Sequence, residues 1–175
     1  MLDFFRGLGS SVWALPLGFG LFFGLGALSF TYYPGSAITQ PIAFNHRKHI
    51  ENGLACTDCH AGVETQARAT LPELDTCLTC HESALTTSPE EKKIRTMAAA
   101  GKALAWVPLT RMPAHVYFSH RRHVTFAKLA CSGCHGPVEQ SSRPPDRPLL
   151  SLTMDACIQC HEKNQARTDC NDCHR

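Results

Sequence analysis

Every cysteine in the chain belongs to one of five Cys-x-x-Cys-His motifs: Cys56-Thr-Asp-Cys59-His60, Cys77-Leu-Thr-Cys80-His81, Cys131-Ser-Gly-Cys134-His135, Cys157-Ile-Gln-Cys160-His161 and Cys170-Asn-Asp-Cys173-His174. Two thiols at that spacing can form thioethers with the two vinyl groups of a haem, and the adjoining imidazole is placed to bind the iron from its proximal side. The expectation is five covalently bound haem c groups. Zinc is the main rival for Cys-x-x-Cys pairs. It needs no histidine directly after every second cysteine, however, and five pairs leave one over in an all-cysteine scheme. A disulfide framework leaves the histidines unexplained.

Five other histidines, His46, His49, His115, His120 and His123, equal the expected haems in number. That equality predicts histidine on both faces of every iron, a low-potential arrangement with no open coordination site. Such a chain carries electrons and has no substrate site of its own, so no residue is read as catalytic. Met112 and Met154 stand near candidate sites, where a thioether ligand would raise one haem's potential; the alternative role for each is packing against a ring.

The elements that must position these residues form a weak internal repeat. Phe44-x-His46-x-x-His49 precedes the first motif and Phe118-x-His120-x-x-His123 precedes the third. Downstream, Asp75-x-Cys77-x-x-Cys80-His81-Glu82 matches Asp155-x-Cys157-x-x-Cys160-His161-Glu162. The chain therefore divides into an N-terminal anchor (1–35), a two-haem module (36–85), a helical linker (86–112) and a three-haem module (113–175). The expected fold is mostly irregular, with short α-helices around stacked haems that themselves make most of the core. One longer helix is expected in the linker, with Ser88 as N-cap, Pro89 at the first position, Glu90 and Glu91 in the first turn, and Lys92 to Ala105 continuing it. Ser141 to Pro148 reads as a loop.

No Asp, Glu, Lys or Arg occurs from Gly7 to His46, and Ser11 to Tyr33 is almost wholly apolar. As one transmembrane helix that stretch would be roughly 34 Å long, enough to cross a bilayer. Trp13 at one end and Tyr32 and Tyr33 at the other suit its two interfaces, and Gly20-x-x-x-Gly24 suits close approach of a second membrane helix. A cleaved signal peptide ending near Ala27-Leu28-Ser29 is the competing account; the apolar run is long for one, which favours an anchor. Haem is attached to this motif outside the bacterial cytoplasm. The expected location is thus the bacterial inner membrane, single-pass, with the haem domain on the periplasmic side.

The polypeptide's formal charge is +2. Ten propionates and five ferric bis-histidine irons bring the total to roughly −3. Arg47, Lys48, Arg121 and Arg122 are therefore read as propionate counter-ions, and no nucleic-acid partner is expected.

The paired histidines resemble those of class III cytochromes. That resemblance implies that the first of each pair serves the haem that follows, His46 for Cys56/Cys59 and His120 for Cys131/Cys134. His49, His123 and His115 are then shared among the other three. More specifically, Trp106-Val107-Pro108, Pro113-Ala114-His115-Val116-Tyr117-Phe118-Ser119-His120-x-x-His123-Val124 and Cys131-x-x-Cys134-His135-Gly136-Pro137-Val138 resemble the pentahaem, membrane-anchored cytochrome subunit of alternative complex III. Ala114 departs from that pattern, in which an acidic residue is expected. The resemblance implies an electron relay in a respiratory or photosynthetic quinol-oxidising complex, beside an iron-sulfur subunit and polytopic quinol-binding membrane subunits, delivering to a downstream cytochrome or other acceptor. The alternatives are an anchored multihaem quinol dehydrogenase feeding a reductase, and a free class III-type carrier.

Overall fold

The computed structural model describes residues 14–32 and 37–174. The chain splits into two compact units, Met1–Ala37 and Ile38–Arg175.

The first unit holds helix α1, Ala14–Tyr32. Phe19, Leu21, Phe22, Phe23, Leu25 and Leu28 are all exposed on it, so it is apolar around its circumference and not along one stripe. It begins three residues after the expected Ser11, and Trp13 and Tyr33 lie outside the described residues. Among the described residues no helix is long and apolar enough to cross a membrane. Within α1, side chains are described only for Pro16 and Gly18–Leu28.

The second unit is a run of short helices: α2 (His46–Glu51), α3 (Cys56–Cys59), α4 (Leu74–His81), α5 (Pro89–Ala99), a π-helical turn (Arg121–Phe126), α6 (Ser132–His135), a 3₁₀ turn (Val138–Gln140), α7 (Met154–Lys163) and α8 (Cys170–Cys173). Strand pairing among the described residues is limited to one antiparallel bridge, Val116 with His174. All five motifs sit on or beside a helical turn, which puts residues three apart on one face and aims both thiols the same way.

Local chemistry explains where these helices start and stop. Asn45 caps α2 by accepting from the Lys48 N–H, and Thr153 caps α7 by accepting from Ala156. Helix α5 has the expected Pro89 start, but the Ser88 side chain makes no capping bond. It also ends at Ala99 and not at Ala105. Gly101, at φ +61°, bonds back to Ala98 while Lys102 bonds to Met97, the paired closure that a left-handed residue after a helix produces.

The two repeats are tied to each other in both directions. His120 and Arg121 donate their backbone N–H groups to Ala67 and Gln66, and the Thr125 hydroxyl donates to the Glu64 carbonyl. In return Arg47 N–H donates to Ser141 and Ile38 N–H to Asp146. The linker is fastened as well: Trp106 Nε1 donates to Pro72, and the Gln40 side chain pairs with both backbone groups of Val107.

Protein-on-protein burial is slight. Among the described residues only Ile42, Glu91, Ile94 and Gly136 are buried. A unit of this size held by side-chain packing alone would bury far more, so its core has to come largely from a non-protein group.

Candidate functional site

Eight of the ten histidines come together in four ring pairs, each joining one motif imidazole to one of the others. Ring centroids are 6.1 Å apart for His49 and His81, 6.3 Å for His120 and His135, 6.1 Å for His123 and His161, and 5.5 Å for His115 and His174. The remaining two, His46 and His60, are near enough for His60 to disfavour charge on His46. An imidazole nitrogen binds a metal at about 2 Å, so two rings on opposite sides of one iron have centroids roughly 6 Å apart.

The second nitrogen of five of these ten rings is occupied. Nδ1 contacts a main-chain carbonyl in His49 (Asn45, 2.8 Å), His60 (Thr70, 3.1 Å), His120 (Ala67, 3.2 Å), His123 (Ser119, 2.8 Å) and His161 (Arg167, 2.6 Å). A carbonyl only accepts, so Nδ1 carries the proton and Nε2 keeps its lone pair for a metal. Burial first, then His60 and His49, lowers the pKa of His46 to about 4. Burial, then His120 and His60, likewise lowers that of His135. Both are neutral at pH 7, as a ligating imidazole has to be.

Phenylalanine sets the angle within each leading pair. Phe44 stacks on His49 at 4.3 Å and meets His46 edge-on at 4.8 Å. Phe118 does the same with His123 at 4.8 Å and His120 at 4.9 Å. The backbone bridge at Val116 and His174, with Tyr117 N–H donating to Cys173, brings His115 to the fifth motif.

Neighbouring motifs meet at their cysteines. Cys59 lies beside Cys77 and Cys80, Cys56 beside Cys131, Cys134 beside Cys157 and Cys160, and Cys157 beside Cys173. Burial is the main cause that raises the Cys56, Cys59, Cys77, Cys134 and Cys157 thiols above their ordinary range, and the adjacent thiols add to it. The motifs thus follow one another in space in the order second, first, third, fourth, fifth.

These features fit haem c. All ten cysteines are free thiols, which removes the disulfide framework. Among the described residues no three of His, Cys, Asp and Glu converge on one ion, so the four-ligand geometry of zinc is not formed. Met154 is 60% exposed, and none of these imidazole pairs includes a methionine. Of the expected counter-ions, Arg121 lies over the Phe126 ring at 5.0 Å. Sequence reasoning did not single out Glu91 beyond its place in the first turn of α5, yet its carboxylate stands 3.6 Å from His81 Nδ1.

Residues 48–143 match the family model described as cytochrome c3, and residues 116–175 match the one described as cytochrome c7 and related cytochrome c. A similar protein is the menaquinone reductase multihaem cytochrome c subunit of Nitratidesulfovibrio vulgaris (strain Hildenborough), 29% identical over 137 residues, which cover 77% of this chain and 51% of that one. The chain therefore spans about half the length of that relative.

Proposed function

The chain belongs to the cytochrome c3 family of multihaem electron-transfer proteins, and from that premise we propose that it is the five-haem relay of a membrane quinol-oxidising complex of the alternative complex III kind. The five bound haems supply one-electron iron chemistry. The carrying observation is the set of four imidazole ring pairs, with His60 near His46 at the remaining motif, since one pair for every motif is what bis-histidine ligation throughout requires.

In this reading each Cys pair fixes one haem covalently. His60, His81, His135, His161 and His174 are its proximal ligands. His46, His49, His120, His123 and His115 are the respective distal ones. The carbonyl-bonded Nδ1 groups of His49, His60, His120, His123 and His161 hold those rings in one tautomer and one orientation, which would keep reorganisation small at the irons they hold. Cysteine contacts between successive motifs set the order of the relay, with the second and fifth motifs at its ends.

The uncharged and almost wholly apolar run from Ser11 to Tyr33, of which α1 is the described part, is the support for a single-pass anchor in the bacterial inner membrane, with the haem unit on the periplasmic side. The partners are then an iron-sulfur subunit, polytopic quinol-binding subunits and a downstream acceptor. A second reading has its own support: the similar protein is by name a menaquinone reductase subunit, so electrons run towards quinone.

Gentle detergent purification from native membranes, with mass spectrometry of the intact chain and its companions, tests both. A chain five haems heavier, accompanied by polytopic subunits, is the expected result. A solitary protein sinks the complex, and the direction of flow follows from whether quinol reduces the preparation or its reduced form reduces quinone.

A further inference from the structure

Glu91 is 5% exposed and is the one charged residue buried among the described residues. Its carboxylate accepts from Leu85 N–H (2.7 Å), Thr86 N–H (2.8 Å), the Thr86 hydroxyl and Arg95 Nη1 (2.8 Å). Four donors on one carboxylate, a guanidinium among them, leave it no proton to share and hold it as an anion. His81 Nδ1 is buried with no hydrogen-bond partner, and Oε1 of Glu91 is 3.6 Å away. The motif imidazoles of His60 and His161 rest instead on neutral main-chain carbonyls.

A buried carboxylate is costly to keep, and the turn that holds it, Leu85-Thr86 together with Arg95, faces it towards one metal-ligating ring. An anion behind a metal-bound imidazole makes that ring a stronger donor and favours the more positive iron. Arg95, bonded to the same oxygen at 2.8 Å, opposes the effect.

We propose that Glu91 is a positioning residue for His81, which holds the Nδ1 edge of that ring and lowers the reduction potential of the iron at the second motif, one end of the relay. The inference rests on His81 being a ligand, as proposed above.

The test is a spectroelectrochemical titration of the full, haem-loaded chain, with low-spin electron paramagnetic resonance, on wild type, Glu91→Gln, Arg95→Gln and His81→Met. Glu91→Gln is expected to raise one of the five midpoints by about tenfold in the reduction equilibrium, about 59 mV for one electron. Arg95→Gln moves that same midpoint down by a smaller amount, and His81→Met moves it up furthest. If His81→Met shifts one midpoint and Glu91→Gln shifts none, the role of Glu91 is overturned and the ligand assignment stands. If His81→Met shifts none, the ligand assignment itself fails. Equal losses of melting temperature in Glu91→Gln and Arg95→Gln, with both midpoints moving the same way, overturn tuning in favour of scaffolding.

Discussion

The two repeats place their leading histidines with nearly the same ring geometry on differently wound backbones. In the first, His46–Glu51 is an α-helix closed by Gly53 at φ +88°; in the second, Arg121–Phe126 is a π-helical turn closed by Lys128 at φ +54°. One residue more separates His123 from Cys131 than separates His49 from Cys56. The extra residue is absorbed by the wider π turn, so the Phe-to-His contacts survive it. What is preserved is the direction in which the imidazoles point; helix type and register are not.

The repeats differ again at the far nitrogens. His120 is braced by Ala67 from the other repeat and His161 by Arg167, whereas His46 and His81, their counterparts, have no hydrogen-bond partner at Nδ1. At these two positions the first repeat relies on burial and, at His81, on the Glu91 charge, where the second uses main-chain carbonyls.

The largest expected effect tests whether the third motif joins the repeats. Cys131→Ala with Cys134→Ala should cost one haem by mass and cut electron transfer between the two ends by orders of magnitude in stopped-flow reduction. Cys170→Ala with Cys173→Ala should cost one haem and leave the remaining four in communication. Equal impairment in both would break the order of motifs.

Next comes Gly136, which follows the third motif at φ +70°; a Cβ there would sit 2.9 Å from that of Leu149. Gly136→Ala should destabilise by about 1–3 kcal/mol in chemical denaturation, while Gly133→Ala, with open space around it, should be close to neutral.

The third experiment swaps the closing residues. Lys128→Gly should stabilise by about 1 kcal/mol and Gly53→Lys should destabilise by a similar amount, since both positions are left-handed and only glycine adopts that conformation freely. Denaturation midpoints moving the same way would sink the equivalence of the two turns.

The smallest effect concerns Glu90, which accepts from the Ala43 N–H at 2.7 Å and from Lys93. That backbone bond first, and Lys93 after it, lower its pKa, so its contribution is complete above the ordinary glutamate range and is lost as pH falls through it. Wild type should lose a few degrees of melting temperature over that window relative to its own neutral value, and Glu90→Gln should lose less.

Much of the site was legible because covalent haem attachment dictates spacing. The ten cysteines, the adjoining histidines and the two Phe-x-His-x-x-His segments needed only their order along the chain. Which distal ring meets which motif needed tertiary structure, because His49 reaches His81 and His123 reaches His161 across loops of variable length. Glu91 was hidden for a related reason: in the first turn of a helix, an acid is already accounted for by the helix dipole. The end of α5 was a missed signal, since Gly101 stood in the sequence as a terminator four residues before the expected end at Ala105. The ties from Glu64, Gln66 and Ala67 to the second repeat leave no trace in spacing, being backbone bonds that any residue makes.

Those reciprocal ties also set a timetable for biogenesis. Arg47 and Ile38 find their backbone partners at Ser141 and Asp146, close to a hundred residues further along. While the nascent chain emerges, the first two motifs are accordingly still open to the enzymes that load them. The latch closes only after the third motif has been delivered. A truncation just before Ser141 should load its cysteines normally and yet remain sensitive to proteases, whereas one ending after Asp146 should resist them.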